Sequence, residues 1–289
     1  MSFTALVTDS TAGLPKEFIQ EYDVRVVPLY VKIGEASYRD GVDITAEELY
    51  ARLPTMSPLP TTSQPSVGDF AAVYGELIRQ GASSIISVHL SAGISGTVHS
   101  AQLAAKQFGD TPIEVVDTRC AAAVAALAIE GAAKALRSGA SFTQALAIAH
   151  NVVERQRTLF TVDTLEYLYK GGRIGGAAAL LGSLLQFKPL LYFKDGKIDA
   201  LERVRTANRA LMRMVEIMKE WMPPEEPLRI VIMHAACQAR AEELADLVRQ
   251  RLNVADLQIV ILTPVLGVHC GNGTLGLFCC PMSALEPET

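Results

Sequence analysis

The sequence predicts an α/β protein in two parts: a mainly parallel sheet with helices on both faces, then an α+β domain. Three observations carry this. Up to about residue 157, short apolar runs alternate with helix-period segments, the succession expected of βαβ units around a buried parallel sheet. After residue 158 the pattern changes, and Asp195-Gly196 between two strand-like runs signals an antiparallel hairpin. The chain has 289 residues, enough for two cores, and its 49 % hydrophobic against 20 % charged residues exclude disorder. The expected domains are 1–157 and 158–289.

FTALVTDS opens the chain as a buried strand, and Pro15 starts a short helix. VRVVPLYVKIG reads as one further strand. DITAEELYARL begins with a capping box, Thr45 with Glu48 three residues on. PSVGDFAAVYGELIRQG is a helix stopped by Gly81, SSIISVHL a strand and TVHSAQLAAKQF a helix. PIEVVDT is again a strand, leading into an alanine-rich helix that ends near Ser138 and Gly139. In the second part, TLFTVDT is a strand and LEYLYKGG a short helix broken by two glycines. IGGAAALLGSLLQF, residues 174–187, is apolar nearly all round and predicts a buried helix. Its small residues, Ala177 to Ala179, leave room for a tunnel. KPLLYF and KIDALERV flank the hairpin turn, a long helix follows Thr206, and LRIVIMHA and LQIVILTPV are strands separated by the helix QARAEELADLVRQRL.

The net charge is −5 and no basic stripe is present, which argues against a nucleic-acid partner. No apolar stretch reaches the roughly 18 to 20 residues of a membrane span, and MSFTALVTDS lacks the basic start of a signal peptide. Five cysteines, an odd number without a C-x-x-C pair, suit reduced thiols better than a disulfide framework. The expectation is a soluble cytoplasmic protein.

Three polar loops stand out from the apolar background: TTSQPS at 61–66, SAGISGT at 91–97 and GVHCGNG at 267–273. They offer hydroxyls, an imidazole and glycine-exposed N–H groups, but no carboxylate or lysine. That donor set suits an anionic head group and is poor for a metal. SAGISGT lies between a strand and a helix, at the carboxyl end of a sheet strand, where ligands bind and helix N–H groups favour an anion. Ser95 and Gly96 are its candidate donors, although Ser95 and Thr97 can equally cap the helix. Ser66 with Asp69 accounts for a cap in the first loop, leaving Thr61, Thr62 and Ser63 unexplained. His269 sits among Gly267, Gly271 and Gly273, which favours close backbone approach. GNGTLG matches G-x-G-x-x-G, but no helix pattern follows and the chain ends too soon for an acidic ribose contact, so a dinucleotide site is rejected. No Walker-type phosphate loop occurs. Gly93-Ile94-Ser95 begins like a nucleophile elbow, but Thr97 stands where the sharp turn needs glycine. Arg173 in LYKGGRIGG is a candidate contact for an anion or a partner protein, or with Lys170 solvates an exposed turn.

Taken together, VTDST, YRDGVDI, PTTSQPS, SAGISGT, VVDTR, LEYLYKGGRI and GVHCGNG resemble, in order and nearly end to end, the DegV family of bacterial fatty-acid-binding proteins. Two departures are Ala92 and Gly93 in place of a serine pair, and Asn272 in place of proline. The resemblance implies a long-chain fatty acid as ligand, in a buried tunnel between two domains. It implies that Thr62 and Ser95 hold the carboxylate, with Ser63 and Gly96 beside them and His269 in the same hydrogen-bond network. It further implies a carrier with no catalytic residue, cofactor or metal of its own, which presents the acid to a separate fatty acid kinase. That kinase makes an acyl phosphate for phospholipid metabolism. The implied partners are the fatty acid, the kinase's catalytic protein, contacted near Arg173, and transiently a membrane surface, with no nucleic acid. Two rivals stay open on the sequence. One is a hydrolase or acyltransferase using Ser95 and His269, with Asp117 the nearest third member, and the other is a binder of sugar phosphates or other small anions.

Overall fold

The computed structural model describes residues 3–181 and 187–286. It is a mixed α/β protein with one parallel and one mixed sheet, in two compact units. The first unit takes the chain up to residue 30, residues 63–155 and the chain from residue 283. The second takes 31–62 and 156–282.

The division therefore differs from the linear split expected at 157/158. The chain does change unit at 155/156, but it also leaves the first unit at residue 30 and returns at 63. The reason lies in VRVVPLYVKIG. Pro28 has no N–H to give a neighbouring strand, so the strand Arg25–Val27 stops before it and a separate strand, Tyr30–Ile33, begins after it. That second strand joins a different, three-stranded sheet, flanked by Ala36–Arg39 and Thr61–Ser63.

In the first unit four parallel strands lie in the order Arg25–Val27, Phe3–Asp9, Ala82–His89, Ile113–Asp117. Successive strand residues face opposite ways. Ala5, Val7 and Ile85 point at Phe70, Tyr74 and Leu77 of helix Val67–Arg79 and at Ala101 and Ala104 of helix Thr97–Ala105. Their neighbours Leu6, Ile86 and Val88 are buried on the other face, which helices Ala123–Arg137 and Phe142–Arg155 cover. Helix Val67–Arg79 starts with the expected capping box, Ser66 with Asp69, and helix Ala46–Arg52 with Thr45 and Glu48.

The second unit holds a six-stranded sheet in the order Lys197–Val204, Lys188–Lys194, Arg157–Thr161, Leu275–Pro281, Leu228–His234, Val254–Ile261. The last two strands pair in parallel across helix Gln238–Arg251, and the other pairs are antiparallel. The hairpin turns on Asp195 (φ 51°) and Gly196 (φ 76°), the doubly left-handed geometry that Asp-Gly favours. Helices Ala207–Trp221 and Gln238–Arg251 close one face over Leu159, Leu190, Ile230, Ile232 and Leu277. Leu275–Pro281, which follows the glycine loop, lies inside this sheet, between Arg157–Thr161 and Leu228–His234.

The buried helix expected over 174–187 is not what forms over its first half. Gly175–Leu180 is a 3-10 turn. Ile174, Ala177 and Leu180 are buried at a spacing of three, while Ala178, Ala179 and Leu181 are exposed. The turn lies flat on the hairpin: a Cβ on Gly175 would come within 2.1 Å of Ile198 O, and one on Gly176 within 2.1 Å of the Asp199 carboxylate. The rest of that prediction, 182–186, lies outside the described residues.

Candidate functional site

The site grows from three pieces of the second unit. Helix Pro264–Cys270 is the first, so GVHC is helical where a loop was expected. Pro264 suits its first turn, having no N–H to satisfy there. The helix is held against segment 31–62 by backbone-directed contacts. Tyr50 OH donates to Leu262 O at 2.7 Å, Asn272 Nδ2 to Tyr50 O at 3.0 Å, and Val265 N to Asp40 Oδ1 at 3.1 Å. Gly267 lets the Tyr50 ring lie on the helix, since a Cβ would fall 2.5 Å from it.

That stapling brings the second piece, Thr61 and Thr62 at the start of strand Thr61–Ser63, to the imidazole. Thr62 Oγ1 and His269 Nε2 are 2.7 Å apart, across 207 residues of chain. The third piece is the turn after helix Glu166–Lys170. A Cβ on Gly171 would lie 2.3 Å from His269 Nδ1, so only glycine leaves the ring its place. Gly271, at φ 76°, likewise sits where a Cβ would strike the Tyr167 ring at 2.3 Å. Arg173 Nη1 donates to Gly171 O at 2.6 Å, tying its guanidinium to the backbone that abuts the imidazole.

Electrostatics keep His269 uncharged. Burial, and after it the charge of Arg173, lower its pKa to about 4. Nδ1 is buried with no hydrogen-bond partner among the described residues. A proton there would be an orphaned donor beside a cation, which costs more than a bare lone pair. The ring proton therefore belongs on Nε2, donating to Thr62 Oγ1. The Thr62 hydroxyl hydrogen is then available to a ligand.

Thr62, His269, Gly171 and Arg173 line one cavity of about 650 Å³, together with Tyr167 and residues of the proline-rich segment 54–60. This volume is within the roughly 300–1,000 Å³ of small-molecule sites. Sequence reasoning missed Gly171 as a packing requirement and the proline wall altogether. MSPLP, just before TTSQPS, was the available signal.

Ser63, Ser95 and Gly96 belong to the first unit. The Ser95 hydroxyl is 2.9 Å from that of Thr97 and accepts from Thr97 N at 3.3 Å. The helix cap itself is Gly96, without a side-chain bond, so Ser95 braces the loop and does not cap the helix in the usual way. A Cβ on Gly96 would meet Gln64 at 2.5 Å. Asp117, the third member of the hydrolase reading, accepts from the N–H groups of Ala92 and Arg119, a loop-holding role. Among the described residues no group of three His, Cys, Asp or Glu side chains is placed to hold a metal ion. No helix among them is long and apolar enough to cross a membrane.

The family profile of uncharacterised DegV proteins matches residues 4–282. The chain belongs to the DegV family. A DegV domain-containing protein of Halalkalibacterium halodurans is 37 % identical over 277 residues, covering 96 % of this chain and 98 % of that one. Among solved structures, a fatty-acid-binding DegV family protein from Thermus thermophilus superposes with a TM-score of 0.92 at 36 % identity, covering 96 % of this chain and 99 % of that one. DegV of Bacillus subtilis, a fatty acid binding protein, gives a TM-score of 0.88 at 31 % identity, covering 97 % and 100 %. The DegV family thus includes proteins that bind fatty acids.

Proposed function

We propose that this chain binds a long-chain fatty acid and presents its carboxylate to a separate fatty acid kinase, without catalysing a reaction itself. The observation that carries the reading is the Thr62–His269 pair at 2.7 Å, lining a cavity of about 650 Å³. An uncharged imidazole that donates to Thr62 leaves a hydroxyl to hold one carboxylate oxygen. Ser95, Gly96 and Ser63 are proposed to complete the head-group contacts. The fatty-acid-binding DegV structures support the ligand class.

The energetics suit a carrier. Burying about 14 methylenes at roughly 0.8 kcal/mol each yields on the order of 11 kcal/mol. Micromolar affinity requires only about 8 kcal/mol, so the tail supplies the affinity after ordering costs. The head-group bonds, roughly 1.5–3 kcal/mol each, fix position. Neutral donors leave the carboxylate oxygen nucleophilic enough to attack the terminal phosphorus of a nucleoside triphosphate, with the diphosphate leaving. An ion pair would quench it.

Native mass spectrometry of the purified protein tests the binding part. A mass increment equal to one long-chain acid is expected, and a chain that carries none and fails to take up palmitate would refute it. The presentation part is tested by adding a fatty acid kinase catalytic protein and ATP and trapping acyl phosphate as the hydroxamate. Product without this chain, or none with it, would refute presentation.

A further inference from the structure

The first unit contains a chain of polar side chains sealed from solvent. Asp9, His89, Ser87 and Tyr74 are all 0 % exposed. Asp9 Oδ2 lies 3.0 Å from His89 Nδ1, His89 Nε2 lies 2.7 Å from Ser87 Oγ, and Ser87 Oγ lies 2.8 Å from Tyr74 OH. The order acid, imidazole, hydroxyl is that of a hydrolase relay, but a serine with no exposure cannot meet a substrate. Phe70 closes the site, its ring edge-on to His89 at 5.0 Å.

With a single proton on the imidazole, the surrounding contacts set the direction of each bond. Asp9 Oδ1 accepts from Thr11 N at 3.0 Å and from the Thr11 hydroxyl at 2.5 Å, and Oδ2 accepts from Leu90 N at 3.1 Å. A carboxylate so used is an acceptor throughout, so His89 Nδ1 donates to it. Nε2 then accepts from the Ser87 hydroxyl, which accepts in turn from Tyr74. Burial pushes the Tyr74 phenol well above its usual pKa, keeping it a donor. The chain runs Tyr74 to Ser87 to His89 to Asp9 with every member satisfied.

Its far end is the root of the Ser95 loop. Leu90, held by Asp9, directly precedes Ser91, whose N–H donates to Cys120 O at 2.6 Å. Ser91 O in turn accepts from Ile94 N at 3.2 Å and Ser95 N at 3.1 Å, and Ser91 Oγ accepts from Gly93 N at 3.0 Å. We infer that Asp9, oriented by the His89–Ser87–Tyr74 chain, is a positioning residue that sets the Ser95 loop for the ligand's head group. This rests on the proposed reading of Ser95 as a carboxylate donor.

The test is Asp9→Asn, alone and combined with Ser95→Ala, with palmitate and its head-group variant hexadecanol displacing a fluorescent acid. An amide retaining the Thr11 bonds turns its NH2 toward Leu90 N–H and His89. The imidazole proton must then move to Nε2, and Leu90 loses its acceptor. Palmitate affinity should fall roughly tenfold, about 1.4 kcal/mol, with hexadecanol affinity unchanged, and the double variant should bind palmitate no more weakly than Ser95→Ala. Nitrogen NMR of the imidazoles should find His89 protonated on Nδ1 in the wild type and on Nε2 in Asp9→Asn. Equal loss for acid and alcohol, losses that multiply in the double variant, or a wild-type Nε2–H would each overturn the inference. Wild-type palmitate binding by Ser95→Ala would overturn the reading of Ser95 and this inference with it. Should Asp9→Asn not fold, Ser87→Ala keeps the Asp9 carboxylate and removes the hydroxyl that joins His89 Nε2 to Tyr74 OH. A palmitate-selective loss that again does not multiply with Ser95→Ala is then expected, and unaltered palmitate binding would overturn the inference.

Discussion

Replacing Gly171 by alanine adds one methyl group where the structure has no room for it. The new Cβ would lie 2.3 Å from His269 Nδ1 and 3.0 Å from Cε1, whereas unstrained contacts sit at about 3.5–4.0 Å. Gly171 has φ −75° and ψ −8°, ordinary for alanine, so the effect is steric and owes nothing to backbone strain. The ring must shift by more than about 1 Å, which takes Nε2 out of hydrogen-bond reach of Thr62. Overpacking costs about 1–3 kcal/mol and the lost bond about 1 kcal/mol. The Thr62 hydroxyl, no longer oriented, loses a charge-assisted contact of roughly 1.5–3 kcal/mol with the carboxylate, or about 10- to 100-fold in affinity. Displacement of a fluorescent fatty acid reads the affinity, and chemical unfolding reads the stability. Gly172→Ala is the control. At φ +70° with nothing within 4 Å, it should lose about 1 kcal/mol of stability to strain and leave affinity intact. A Gly171→Ala protein that is destabilised yet binds within twofold of wild type would show that the imidazole plays no part in holding the acid.

Thr62→Val and Ser95→Ala should each weaken palmitate binding by roughly tenfold or more while changing stability by under about 1 kcal/mol; wild-type yields of acyl phosphate from both would refute the head-group assignment. The pKa of His269 falls from 6.5 unfolded to about 4 folded, so between those values the unfolded chain binds the extra proton. Its contribution to stability is complete above pH 6.5 and is lost as the pH falls toward 4, on the order of 3 kcal/mol in all. Urea unfolding at pH 7 and pH 5 should show this loss in wild type and not in His269→Gln, and parallel behaviour would refute it. Arg173→Ala should leave palmitate binding within about threefold and impair kinase-dependent transfer, while raising the pKa of His269. Loss of binding would make Arg173 a ligand contact, and normal transfer would return it to a solvated turn.

Much of the fold was legible because it depends on local rules. The capping boxes at Thr45 and Ser66, the Thr206 helix start and the Asp195-Gly196 hairpin each follow from residue chemistry within a few positions. What escaped depends on partners distant in sequence. Pro28 splits an apolar run whose halves join different sheets, and no local signal says which sheet takes each half. The run from Ile174 has helical composition, but its glycines are there to approach Ile198 and Asp199, and that contact selects a 3-10 turn. In the site, Thr62 and His269 were marked by residue type amid glycine and proline. Their 2.7 Å bond required Tyr50 and Asn272 to staple two remote segments. Gly171 looked like a helix stop, and its role in admitting the imidazole exists only in three dimensions.

The placement of Arg173 reconciles two demands that the proposed function would make together. On that proposal the carboxylate must be held without a cation upon it, yet a neutral imidazole near a carboxylate tends to gain a proton, because the anion stabilises the charged ring. Burial alone resists this, and Arg173 adds to that resistance by lowering the pKa of His269 further. Its Nη1 is bound to Gly171 O at 2.6 Å, on the backbone that abuts Nδ1. The cation thus opposes protonation of the ring from the Nδ1 side, while Nε2 and Thr62 make the neutral bond on the other. The Arg–Gly–His sequence of contacts is therefore best understood as one device, in which the glycine carbonyl anchors the charge and the glycine's missing side chain admits the ring.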